Sequence, residues 1–134
     1  MDWEVFGAIL TGDQKRVGYG SDLTQLEVKS AVAGNSFEYQ YHKEHGEEKL
    51  NEDPQIDHLF ISYSKDYTSL VVRYVEAARL APVFESWRQG YQERYASGGQ
   101  RFRKSISFGF VVEHSEVILR VVDGLQVYPT EISR

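Results

Sequence analysis

Residues 18–32, GYGSDLTQLEVKSAV, decide how the chain is read. After a bend rich in glycine (Gly18, Gly20), Leu26 and Val28 alternate with Glu27 and Lys29, so residues 23–33 are expected to form a strand. Residues two apart in a strand share a face, which sets Glu27 beside Lys29 while Leu26 and Val28 enter a core. Asp22 stands at the mouth of that strand, within reach of Glu27. Gly34-Asn35 is the turn that ends it.

Upstream, residues 2–10 predict a short helix opened by Asp2, with Trp3, Phe6, Ile9 and Leu10 on one face. Downstream, residues 44–57 are polar and acidic without apolar periodicity, and are expected to be a surface loop with room for a short helical turn. Two runs rich in β-branched and aromatic residues, 58–64 and 69–77, flank Lys65-Asp66-Tyr67-Thr68 and predict a β-hairpin. Pro82 suits the first turn of a helix whose stripe is Phe84, Trp87, Tyr91 and Tyr95, ending at Ser97-Gly98-Gly99. Such a stripe is core packing far more often than a cofactor cradle. Residues 105–112 and 117–122 predict a second pair of strands, joined at 113–116 and followed by Asp123-Gly124. The order of elements gives an α+β (mixed α/β) domain around one sheet.

The 134 residues make one domain, 1–134, large enough to bury a core without staples. With no cysteine, a disulfide framework, a thiolate zinc site and cysteine catalysis are all excluded. A net charge of −5 counts against a wholly electrostatic binder of nucleic acid or membrane surfaces, while leaving room for one local basic face. Neither a signal-peptide pattern nor an apolar run of about 20 residues is visible, so a soluble cytoplasmic protein without membrane contact is expected.

Two carboxylates and a lysine on one surface have a definite use. Asp22, Glu27 and the backbone carbonyl of Val28 are hard oxygen donors of the kind Mg²⁺ takes, together with water and phosphate oxygens. Lys29 is then placed to hold or deprotonate a nucleophile, and phosphodiester hydrolysis is the natural reaction. The competing reading is a solvated Glu/Lys face worth about 0.2–1 kcal/mol in cross-strand pairing. Two further acid-x-Lys triplets, at Asp13 to Lys15 and Glu47 to Lys49, show how readily the spacing arises. A second group, Arg101-Phe102-Arg103-Lys104, places three cations in four residues beside Gly98-Gly99. Arg and Gln are the side chains that pair bidentately with guanine and adenine, so Gln100, Arg101, Arg103 and Gln40 are candidate base readers. His42 and Lys43 carry donors suited to bases or phosphates; a zinc site from His42 and His45 lacks further ligands.

Residues 18–32 resemble the catalytic core of the PD-(D/E)XK nucleases. The likeness continues in order through 39–43 (YQYHK), the hairpin 58–77, 83–87 (VFESW) and 111–114 (VVEH), which together resemble the PvuII-like group of type II restriction endonucleases. The resemblance implies a central mixed β-sheet flanked by helices, with Asp22 and Glu27 as metal ligands and Lys29 as the catalytic lysine. It also implies a homodimer that uses Mg²⁺ to cut both strands of double-stranded DNA at a short palindrome. Base reading would fall to Tyr39, Gln40, Tyr41 and His42 after the catalytic strand, and to Gln100, Arg101 and Arg103 later. A nicking, homing or structure-specific nuclease, and a non-catalytic α+β binding module, are the alternatives.

Overall fold

The computed structural model describes residues 26–126. The expected N-terminal helix at 2–10, the glycine-rich bend and Asp22 lie outside the described residues.

A mixed sheet forms the centre, with strands β1 (Leu26–Val32), β3 (Asp57–Tyr63), β4 (Leu70–Val75), β6 (Glu116–Val122) and β7 (Leu125–Gln126) in the order β1-β3-β4-β6-β7. β1 runs parallel to β3, with Glu27 opposite His58 and Lys29 opposite Phe60, and every other neighbouring pair is antiparallel. A separate two-stranded ribbon pairs β2 (Phe37–Tyr41) antiparallel with β5 (Phe102–Ile106). The helices are α1 (Gly46–Glu52), continued by a 3-10 turn at Asp53–Gln55, then α2 (Ala77–Ala96) and α3 (Phe108–His114). The fold is α+β, as the sequence predicts.

β3 is central because it is covered on both faces: five consecutive residues, His58 to Ser62, are buried. Phe60 packs into one cluster with Phe37, Tyr39, Tyr41, Leu50, Leu80, Phe84, Trp87 and Tyr91, while Leu59 and Ile61 pack into a second with Leu70, Val72, Ile118 and Leu119. β1 divides the same way. Leu26 and Val28 pack against the second cluster, and Ala31 against the first. Glu27 and Lys29 therefore face the side where α1, α2 and the ribbon lie.

Three stretches differ from their sequence reading. Residues 44–57 carry α1, because the inner face of this helix is Gly46, Lys49, Leu50 and Asp53. That spacing is helical, but half of it is polar, so apolar periodicity misses it. Helix α2 begins at Ala77 rather than near Pro82, since Asp57 Oδ1 accepts the Ala77 backbone N–H at 2.8 Å. A long-range partner thus caps a run of good helix formers ahead of the proline. The expected strand pair at 105–112 and 117–122 does not form: residues 108–114 are helical, β5 pairs instead with β2 in a second sheet, and β6 pairs with β4. Ser107 caps the helix by accepting the Phe110 N–H at 3.1 Å, which outweighs the strand preference of Val111 and Val112. The hairpin, the end of α2 at Ser97 and Gly98 (φ +89°), and the strand at 116–122 are as expected.

The β2–α1 junction is tight. A Cβ at Gly46 would lie 2.8 Å from the Tyr41 backbone carbonyl carbon and 2.9 Å from the Tyr91 ring. Tyr91 and Tyr95 of α2 donate their hydroxyls to the carbonyls of His42 and Tyr41 at 3.2 and 2.6 Å, pinning the same corner. Gly46→Ala is expected to destabilise the protein by about 1–3 kcal/mol through overpacking. Urea unfolding measures this, and a wild-type midpoint for the variant would contradict it.

Candidate active site

Glu27 and Lys29 project from one face of β1 with Lys29 Nζ 3.5 Å from Glu27 Oε2. The other carboxylate oxygen, Oε1, faces Lys49 Nζ from α1, also at 3.5 Å. Lys49 in turn lies 3.4 Å from Asp53 Oδ1, one helical turn along. Asp53 is fully buried, and its second oxygen accepts the Tyr41 hydroxyl at 2.6 Å. Below these, Tyr39 and His58 share a hydrogen bond of 2.8 Å at Nδ1, while His58 Nε2 lies 3.0 Å from the Asp53 carbonyl. A carbonyl only accepts, so Nε2 carries the proton and Nδ1 accepts from Tyr39. The Lys29 ammonium also sits over the Tyr39 ring, 4.4 Å from its centre, a cation–π contact.

The electrostatics follow from burial. Desolvation pushes the phenols of Tyr39 and Tyr41 well up, so both are neutral donors. Burial pushes His58 down from its ordinary value, against the smaller opposing effect of Asp53. Glu27, Lys29 and Lys49 stay open to water at 26, 19 and 33% side-chain exposure, whereas Asp53 is closed at 0%. The charged rim is accessible and its anchor is not.

Among the sequence-predicted site residues, Glu27 and Lys29 are brought together, with Val28 between them on β1. Among the described residues no group of three or more His, Asp or Glu side chains is set to hold a metal ion. Mg²⁺ needs only one or two carboxylates beside waters and phosphate oxygens, so the donors of Glu27 and the Val28 carbonyl suit it chemically. Lys49, Asp53 and His58 were missed. Their signal was the Lys49/Asp53 spacing of four residues and the Glu47-Glu48-Lys49 triplet, both hidden in an apparently featureless acidic stretch.

The two expected base-reading segments form the two strands of the ribbon. Tyr39 and Tyr41 do not belong to a reading surface: both side chains are buried in the core, with their hydroxyls on His58 and Asp53. Gln40 points the other way and is paired in register with Arg103, which is exposed. His42, Lys43, Gln100 and Arg101 are also exposed. Arg94, Arg101, Phe102, Arg103 and Lys104 line a groove of about 490 Å³, and Arg94 Nε donates to the Arg101 carbonyl at 2.8 Å. A larger cleft of about 550 Å³ lies elsewhere, among Asp57, Tyr74, Glu76, Arg79 and residues 113–116. Comparison of the chain with protein-family models and with characterised proteins found no match.

Because His58 is harder to protonate in the folded chain than its ordinary value of 6.5, the unfolded chain binds more protons once the pH falls below that value. This contribution to stability is complete above about pH 6.5 and declines as the pH drops toward the folded pKa. His58→Gln removes the titration and should flatten the stability curve between about pH 7 and 5. Unfolding free energies measured across that range test this; equal slopes for both proteins would refute it.

Proposed function

We propose that the chain is a Mg²⁺-dependent, sequence-specific double-stranded DNA endonuclease of the type II restriction kind. The observation that supports it most is the Glu27–Lys29 pair, side by side on one accessible face of β1. Glu27 and the Val28 carbonyl, with Asp22, would hold the ion. A bound Mg²⁺ supplies charge stabilisation at the phosphate and a more acidic water. Lys29, steadied by the Tyr39 ring, orients the water and balances the charge that builds on the phosphate. The water oxygen bonds to phosphorus, the bond to one deoxyribose oxygen breaks, and that oxygen leaves with a proton as a hydroxyl.

The ribbon supports the DNA part of this reading. A two-stranded ribbon fits the major groove, and here its outward residues include Gln40 opposite Arg103, with Arg101 at the strand's start. Cutting both strands of a palindrome calls for two sites, and hence a homodimer. The competing reading, a non-catalytic α+β module, draws on the same cluster: Glu27 between two lysines is also a self-satisfied ionic network.

Incubating the protein with a long, sequence-diverse linear duplex, with Mg²⁺ or with EDTA, decides between them. Discrete fragments that require Mg²⁺ are expected, and intact DNA at all protein concentrations would favour the module. Glu27→Ala and Lys29→Ala should each abolish cleavage with unchanged unfolding midpoints; substantial cleavage by either would sink the site assignment. Arg103→Ala should lose about 1–3 kcal/mol of discrimination at one base position. Uniform weakening on all sequences would make Arg103 a phosphate contact instead.

A further inference from the structure

Lys49 lies in a stretch whose sequence has no apolar pattern, yet its ammonium reaches the carboxylate at the centre of the site. Three observations bear on its role. Its Nζ lies 3.4 Å from Asp53 Oδ1, 3.5 Å from Glu27 Oε1 and 6.0 Å from the centre of the Tyr41 ring, so its three N–H donors make two long hydrogen bonds and one loose ring contact. Asp53 is fully buried and held by the Tyr41 hydroxyl, which fixes the direction in which Lys49 extends. Lys49 itself is one-third exposed, on the same open rim as Lys29. A lysine needed only to neutralise Asp53 has no reason to reach across to β1 and remain open to water.

We propose that Lys49 is a second phosphate-binding lysine of this site, donating to an oxygen of the scissile phosphodiester, and that Asp53 is its positioning residue. The proposal rests on the nuclease reading and deepens it. In the free protein, Lys29 and Lys49 together balance Glu27 and Asp53, so the four side chains carry no net charge. When Glu27 serves as a metal ligand, Lys49 keeps Asp53 and turns its remaining donors to the substrate. Lysine suits this task as a compact charge with freely rotating donors. Phosphate is then held from two sides, by Lys29 from β1 and by Lys49 from α1.

The test is single-turnover cleavage of a duplex carrying the site mapped from the wild-type fragments, at saturating protein, across a Mg²⁺ series. Lys49→Met should slow cleavage by about 10²-fold, the usual cost of removing one preorganised donor. The variant also takes from buried Asp53 its cationic partner, so its unfolding midpoint should fall and cleavage is measured well below that midpoint, while the Mg²⁺ concentration for half-maximal rate should stay near wild type. Lys49→Arg, which keeps the charge, should recover most of the rate, and Asp53→Asn should lose rate with Lys49 still present. Cleavage by Lys49→Met within about threefold of wild type overturns the proposal. So does a rate loss that Lys49→Arg does not relieve. Should Lys49→Met fail to fold, the side-chain NMR resonance of Lys49 in the wild-type protein is followed as that duplex is added with Ca²⁺; an unchanged resonance overturns the proposal. Wild-type protein that leaves all DNA intact overturns the nuclease reading and this inference together, whereas active wild type with an active Lys49→Met overturns this inference alone.

Discussion

A carboxylate with no exposure to water sits at the junction of every element that bears on the site. Asp53 cannot be left alone there, because a buried charge stripped of its partner costs roughly 3–5 kcal/mol. Its partners come from three directions. The Tyr41 hydroxyl belongs to the ribbon, Lys49 to α1, and His58, bonded to the Asp53 carbonyl, to the central strand. Satisfying this one residue therefore fixes α1 against β2 and β3 at once. Through Lys49 the constraint passes on to Glu27 on β1.

The same arrangement couples two surfaces that look separate. Along β2 the side chains alternate, so Phe37, Tyr39 and Tyr41 enter the core while Gln40 faces outward beside Arg103. Tyr39 supports Lys29 by its ring and His58 by its hydroxyl, and Tyr41 supports Asp53. One strand thus carries the outward residues proposed to meet DNA and the inward residues that hold the charged rim in place. The ribbon and the rim are parts of one packed unit, and α2 locks it by hydrogen-bonding the carbonyls of Tyr41 and His42.

Much of this was legible in the sequence where hydrophobicity and period agree. The alternation at 26–29 gave β1 and the shared face of Glu27 and Lys29. The apolar runs gave β3 and β4, and Phe84, Trp87, Tyr91 and Tyr95 gave the inner face of α2. Elements stayed hidden where a long-range or polar contact replaced the usual signal. The start of α2 depends on Asp57, a residue 20 positions earlier, and α1 hides its inward face in Lys49 and Asp53. The alternation of FEYQY turns Tyr39 and Tyr41 inward, whereas the resemblance to the nucleases assigned both to base reading. Lys49 was hidden by its surroundings, six acidic residues between Glu44 and Asp57.

The parallel pairing of β1 with β3 has a kinetic side. Leu26 meets Asp57, so the chain must close a loop of some 31 residues before that ladder can form. The entropy of closure grows only slowly with length, but none of it is recovered until the ladder is in place. Within that loop lie β2 and α1, and with them Tyr39, Tyr41, Lys49 and Asp53. Asp53, Lys49, His58 and the two tyrosines can pair with one another without β1, but Glu27 and Lys29 reach Lys49 and the Tyr39 ring only once β1 has docked. The charged rim is accordingly completed by the docking of β1 and not before it.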